Sequence, residues 1–341
     1  MIIIDIIIPV YNEERTILTL INRVLDAKLP ENCHKNLLII NDGSSDATAT
    51  LLANANLPTN CTIHTHQKNM GKGAAIQTGL KAATGDILLI QDADLEYNPE
   101  EYPTLLGPIF AGKADIVYGS RFIGNQPHRV LYFWHRVANG IITLWSNMLS
   151  DLNCTDIETC YKAFRRSAIQ DIAIAENRFG FEPEITAKVA YLSRERGIKI
   201  YEVGIAYDGR TYQDGKKIGI KDAIRAMWCI LTYNSTPVAK VIKFTIIELP
   251  IVLWLITHTH LLITLPSIVL LRTAAHASHT TWSWLPPLNT CKKQSKIASF
   301  SLWLVTTLLY TGAILLGNIA GLCIVFLGLF WIYNYKLACH D

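Results

Sequence analysis

Asp92 and Asp94 stand one residue apart, directly after the apolar run Ile87-Leu88-Leu89-Ile90. A short unbroken apolar run reads as a strand buried on both faces, and ligands of open α/β sheets gather just beyond the carboxyl ends of such strands. Two carboxylates placed there without partners would repel each other. A divalent cation relieves that repulsion and leaves coordination positions for a diphosphate, because Mg²⁺ and Mn²⁺ favour carboxylate and phosphate oxygens. Taken alone, an Asp-x-Asp is more often an acidic turn capping the next helix, so the surrounding chain must distinguish the two.

Two further polar stretches follow apolar runs in the same way: Pro9-Val10-Tyr11-Asn12-Glu13-Glu14 and Asn41-Asp42-Gly43-Ser44-Ser45-Asp46. Carboxylates leaving three strands at one edge of a sheet can line one crevice. Asp42 suits a base or ribose hydroxyl, and Gly43 permits close backbone approach. Each stretch by itself also reads as a turn with an N-cap.

The elements that must position these residues alternate. Strand-like runs at 2–8, 36–40, 61–64, 86–90 and 115–118 are interleaved with helix-like segments at 16–27, 46–55, 72–83 and 99–110. That order predicts a Rossmann-like α/β fold, a mostly parallel sheet with helices on both faces. Ser45 or Asp46, and Asn98-Pro99-Glu100-Glu101, supply helix starts. The N-terminal apolar run contains Asp5 and lacks a basic flank, so it reads as the first strand, not a signal peptide.

Half of the 341 residues are hydrophobic and the net charge is +3. With no Arg-rich or aromatic-interleaved basic stripe, nothing argues for nucleic acid and none is expected as a partner. The eight cysteines include no Cys-x-x-Cys pair, which fits packing roles in a reducing compartment. Apolar residues concentrate late in the chain. The expected organisation is a catalytic domain over 1–216, a juxtamembrane amphipathic helix over 217–236 and a membrane anchor over 237–341.

Residues 298–335 amount to about 57 Å of helix, close to two crossings of a ~30 Å hydrocarbon core, with Gly317-Asn318 as the turn. The run 241–271 is interrupted by Glu248, Pro250, His258, His260 and Pro266. Arg272, Lys292, Lys293, Lys296 and Lys336 place their loops on the cytoplasmic side. A cytoplasmic catalytic domain then requires an even number of crossings in 241–271, which favours four spans in two hairpins or a re-entrant pair. The amphipathic segment 132–151 lies either on a membrane surface or on the domain core.

Together with Gly71-Lys72-Gly73-Ala74-Ala75 and Gly119-Ser120-Arg121-Phe122, these motifs resemble those of family 2 glycosyltransferases of the GT-A fold. The resemblance covers residues 1 to about 235 and is to the polyprenyl-phosphate branch, which includes dolichol-phosphate mannose synthase and undecaprenyl-phosphate glucosyltransferases. It implies nucleotide contact from Pro9, Glu13 and Asp42, ribose or metal contact from Asp92, and metal coordination by Asp94. Tyr11 and Lys72 lie within the matching motifs and join the nucleotide-sugar-binding set. Gly71-Lys72-Gly73 lacks the spacing of a P-loop.

Asp156-Ile157-Glu158-Thr159-Cys160-Tyr161-Lys162 resembles the branch's acidic acceptor motif, usually written with Gly where this chain has Cys160. The stretch from Tyr207 to Ile218, with Arg210, Lys216 and Lys217, resembles its basic loop over the diphosphate and lipid phosphate. A basic flank facing the membrane is the alternative for that stretch. The implied reaction is inverting, Mg²⁺- or Mn²⁺-dependent transfer of a hexose from a nucleotide sugar, UDP-glucose or GDP-mannose, to a polyprenyl phosphate.

A lipid phosphate is ionised near neutral pH and needs alignment and charge neutralisation more than a strong base. Arg121, Arg136, Arg210 and Lys216 are the candidates. Asp156 and Glu158 are positioned either to orient groups, to act as a base towards a hydroxyl acceptor, or simply to hold Arg165 or Arg166; Glu182 and Glu184 are weaker candidates of the same kind. The membrane is an expected partner, and a homo-oligomer formed through the anchor is compatible with the sequence. A polysaccharide synthase would carry Gln-x-x-Arg-Trp, which is absent from the sequence. A non-catalytic membrane scaffold would not need Asp42, Asp92, Asp94 and Arg210 together.

Overall fold

The strand Ile2–Val10 (β1) is apolar on both faces except at Asp5, and every residue from Ile4 to Val10 is buried. Asp5 is satisfied there by the backbone N–H groups of Thr84 and Gly85, both at 2.7 Å, and by Asn36 at 3.0 Å. β1 is an interior strand of the sheet. The computed structural model describes residues 1–124, 129, 130, 132–209, 220–236, 238, 239 and 242.

The strands Cys33–Asn41 (β2) and Ile87–Ile90 (β4) flank β1 in parallel, and Cys61–Thr65 (β3) continues the sheet beyond β2. Among the described residues Ile116–Ser120 (β5), Lys162–Arg165 (β6) and Ile200–Gly204 (β7) complete the order β3-β2-β1-β4-β6-β5-β7. β6 runs antiparallel to both neighbours, and β5 and β7 are parallel. The expected parallel sheet therefore carries one reversed strand in its middle.

The helix Ile17–Asp26 (α1) buries Ile17, Leu20, Ile21 and Val24, one face at helical spacing. Thr48–Asn54 (α2) starts two residues beyond Asp46, whose Oδ1 accepts from the Thr48 N–H at 3.0 Å. Lys72–Ala82 (α3) lies against β1 at Gly79, where a Cβ would stand 2.4 Å from Ile7 Cγ2. The segment 99–110 is not one helix. A 3₁₀ turn, Pro99–Glu101, is started by Asn98 and precedes Tyr102–Phe110 (α4).

Phe133–Ser150 (α5) occupies the expected amphipathic segment, and Arg166–Ile169 (α6) is a single turn. Phe181–Arg196 (α7) runs through the interior with Glu182, Glu184 and Lys188 buried. Ile220–Tyr233 (α8) packs on α5 and α7. Arg225 Nη2 and Tyr233 Oη of α8 donate to Glu176 Oε1 at 2.7 and 2.9 Å.

The chain divides into two units, Met1–Thr236 and Pro237–Asp341. Nearly all of the expected anchor lies outside the described residues, as do Arg210, Lys216 and Lys217. Among the described residues no helix is long and apolar enough to cross a membrane.

Candidate active site

The chain winds from β1 outward to β2 and β3, then returns to place β4 on the other side of β1. The parallel ends of β1, β2 and β4 meet at this switch point, where open α/β sheets form a ligand crevice. The loops after all three strands line it. The first two are laced together: Asn12 Oδ1 accepts from the Ser45 N–H at 2.8 Å, and Thr48 Oγ1 accepts from the Glu13 N–H at 3.0 Å. Pro9 sits in β1, paired with Ile40, and Tyr11 follows directly on that strand. Glu13 Oε2 accepts from Thr16 Oγ1 at 2.9 Å at the start of α1.

Asp42 is 2% exposed. Its Oδ1 accepts from the Met70 N–H at 2.9 Å and meets His66 Nδ1 at 2.6 Å, and its Oδ2 accepts from the Gly71 N–H at 2.7 Å. Asp42 therefore holds the turn that launches α3, with three of its four lone-pair positions engaged. Gly43 has φ +65°, and a Cβ there would lie 2.5 Å from the Lys68 carbonyl carbon, so glycine is required by both conformation and space.

Asp92 and Asp94 stand just past β4, both partly exposed. Gln91 fixes their approach. Its Oε1 accepts from Tyr102 at 2.8 Å and Tyr161 at 2.7 Å, and its Nε2 donates to the Asp92 carbonyl at 2.9 Å. Leu95 has φ +64°, a left-handed conformation uncommon for leucine, immediately after the acidic pair. The Lys72 ammonium lies 2.9 Å from Asp92 Oδ1, 3.1 Å from its Oδ2 and 3.0 Å from Glu182 Oε1.

The acidic pair suits a divalent cation. Lys72 already compensates both oxygens of Asp92, so an entering ion would have to take over a carboxylate that an ammonium now holds, and among the described residues no group of three Cys, His, Asp or Glu forms a complete cage. One or two carboxylates completed by substrate phosphates are the usual Mg²⁺ arrangement.

Just beyond β5, Arg121 forks onto Asp156, Nε to Oδ2 at 2.7 Å and Nη2 to Oδ1 at 2.8 Å. The expectation that acidic-motif residues might hold Arg165 or Arg166 is corrected for Asp156. Arg165 turns to the Ile109 carbonyl at 2.5 Å and Arg166 to the Thr84 carbonyl at 3.3 Å. Arg136 of α5 lies over the Phe122 ring at 3.6 Å, with the Arg121 guanidinium 5.5 Å from the same ring.

Burial, and next the charge of Glu182, push the Glu158 carboxyl up to about 8. Glu158 Oε1 and Glu182 Oε2 are both buried without a hydrogen-bond partner among the described residues. Burial also lowers the Lys162 ammonium, which donates to the Ile157 carbonyl at 2.9 Å. Cys160 is buried beside Asp92 with its thiol raised well above the usual range, burial first and the Asp92 charge second. Glu184 stands apart, accepting from the Ala175 and Glu176 N–H groups at 2.8 and 2.7 Å. Gln91 and His66 lie outside the quoted motifs, because Tyr161 and Asp42, the partners that fix them, are remote in sequence, whereas Lys162 closes the acidic motif and bonds within it.

The family model for glycosyl transferase family 2 matches residues 5–173, which take in β1 to β4, both acidic loops, Arg121 and Asp156. Met1–Thr236 holds a family 2 glycosyltransferase domain.

The glycosyltransferase is 29% identical over 236 residues to the undecaprenyl-phosphate 4-deoxy-4-formamido-L-arabinose transferase of Photorhabdus laumondii, covering 68% of each chain. It is 24% identical over 250 residues to the dolichol-phosphate mannosyltransferase of Pyrococcus furiosus, covering 72% of this chain and 68% of that one. Among solved structures it resembles glucosyl-3-phosphoglycerate synthase of Mycobacterium tuberculosis with Mn²⁺, UDP-glucose and phosphoglyceric acid. The TM-score is 0.53 at 18% identity, covering 68% of this chain and 79% of that one, a likeness of fold.

Proposed function

We propose that this glycosyltransferase moves a hexose from a nucleotide-diphosphate sugar to a polyprenyl phosphate at the cytoplasmic membrane face, with inversion and with Mg²⁺ or Mn²⁺. The observation that carries the reading is the placement of Arg121 and Arg136 against the same Phe122 ring, at 5.5 and 3.6 Å, at the start of a helix with several exposed apolar side chains. Phe133 is 68% and Trp134 74% exposed, followed along α5 by exposed Ile141, Leu144 and Met148. Guanidinium forks suit phosphate oxygens and exposed aromatic and aliphatic side chains suit an acyl or prenyl chain. The Photorhabdus and Pyrococcus relatives, an undecaprenyl-phosphate transferase and a dolichol-phosphate mannosyltransferase, support the same acceptor.

The residues favour displacement without a strong base. Asp156 has both oxygens engaged by Arg121 and so orients that guanidinium in place of accepting a proton. Arg121 and Arg136 would neutralise and align the acceptor phosphate, which is a nucleophile as it stands. Asp92 and Asp94 would hold the cation, which when bound supplies charge stabilisation to the departing nucleoside diphosphate. Arg210 and Lys216 would add cover over the phosphates.

Transfer of radiolabelled sugar from UDP-glucose, GDP-mannose and related donors to polyprenyl phosphate in detergent tests this. Metal-dependent labelled lipid, reduced at least ~100-fold in Asp94→Ala, is the expected result. Label on a soluble glycan in its place would overturn the acceptor.

A further inference from the structure

Lys72 makes an arrangement that the transfer reaction does not by itself explain. One ammonium bridges two carboxylates from different parts of the chain, Asp92 after β4 and Glu182 in the first turn of α7. The three groups together carry an excess negative charge. The Glu182 side chain is 5% exposed, and its Oε2 is buried with no donor among the described residues. A buried acceptor left open costs stability unless another state of the molecule fills it.

The main chain on either side of this bridge is fixed. Asp42 holds the Met70 and Gly71 N–H groups, the Ala74 N–H donates to the Asn177 carbonyl at 2.9 Å, and Thr186 Oγ1 donates to the Glu182 carbonyl at 2.8 Å. The lysine stem is the flexible part, and its ammonium has three donors in any rotation. On Asp92 it uses the oxygens that a cation would need. A divalent ion and an ammonium cannot share one carboxylate at such range without strong repulsion.

We infer that Lys72 is the resident counter-ion of Asp92 and passes wholly to Glu182 when a divalent cation enters, making Glu182 a positioning residue that sets cation affinity. This rests on the metal-assisted reading above. In the exchange no covalent bond changes. Lys72 leaves Asp92 to the incoming ion and gives its freed N–H to the open Glu182 Oε2, so the negative charge at both carboxylates stays compensated. Glu158 and Lys162 also face Glu182 from the same buried surroundings, one repelling it and the other attracting it.

The test is Mn²⁺ binding to the full chain in detergent, read by electron paramagnetic resonance, with Mn²⁺ alone and with UDP or GDP. Lys72→Met should raise affinity for Mn²⁺ alone severalfold. Glu182→Gln should lower it severalfold, because Lys72 then has no anionic alternative, and that loss should vanish in the double variant. Lys72→Gln provides a second substitution, and the melting temperature of each variant verifies the fold. Equal loss from Glu182→Gln with and without Lys72 overturns the exchange, as does unchanged affinity in both single variants. If the wild type binds no Mn²⁺ under any condition, the metal-assisted reading falls and the exchange with it. Wild-type binding that is lost in Asp94→Ala but indifferent to Lys72 and Glu182 overturns the exchange alone.

Discussion

Arg121 and Asp156 form a bidentate pair at 2.7 and 2.8 Å, with Asp156 fully buried and the Arg121 backbone N–H donating to the same carboxylate at 3.2 Å. Strand β5 ends at Ser120, so this pair anchors the first residue beyond the strand. Asp156→Ala would leave a guanidinium buried without its partner and should cost about 3–5 kcal/mol of stability. Denaturant unfolding reads that loss directly. Arg121→Lys should keep most of the fold and lower transfer about tenfold or more, since an ammonium cannot reproduce the fork; steady-state rates with saturating donor would show it.

The Glu158 carboxyl, raised to about 8 by burial and the Glu182 charge, binds a proton in the folded chain that the unfolded chain releases near its free value of about 4.3. Folded-state proton binding exceeds unfolded-state binding across that interval, so this contribution to stability falls as pH rises towards 8. Melting temperature measured from pH 6 to 8.5 should decline less steeply in Glu158→Gln than in wild type. Parallel slopes would show that Glu158 is already ionised.

Gly43→Ala puts a Cβ at φ +65° and 2.5 Å from backbone. About 1–3 kcal/mol of destabilisation is expected, together with weaker nucleotide binding, because Asn41, Asp42 and Ser44 move with it. Calorimetry of UDP or GDP binding at a temperature where the variant is folded separates the two effects.

Trp134→Glu alters a side chain that is 74% exposed, so the melting temperature should shift by less than about 0.5 kcal/mol equivalent. Transfer to polyprenyl phosphate embedded in vesicles should nevertheless drop severalfold. Unaltered transfer would detach α5 from acceptor delivery.

The parts of this site that a sequence displays are those made locally. Ile2–Val10, Cys33–Asn41 and Ile87–Ile90 announce themselves as apolar runs, and each is followed at once by its acidic or polar loop. The family 2 resemblance and its GT-A fold were legible for that reason, and the family match agrees with them. Helix α7 was hidden because Glu182, Glu184 and Lys188 are buried charges that erase the expected apolar stripe. Lys72 and Glu182, and Arg121 and Asp156, meet only after long loops close, and nothing in their immediate neighbours encodes the partner. The reversed strand β6 was missed too, since four residues, Lys-Ala-Phe-Arg, carry little periodicity.

That reversed strand also governs how the sheet can be assembled. β4 and β5 never pair with each other; β6 joins them, and it is made more than forty residues after β5. As the chain leaves the ribosome, β3, β2, β1 and β4 can associate early, with β4 an open, wholly apolar edge. The edge closes only when Lys162–Arg165 arrives, bringing Asp156 and Glu158 with it. Completion of the acidic motif and sealing of an aggregation-prone edge are thus one event in the life of the nascent chain.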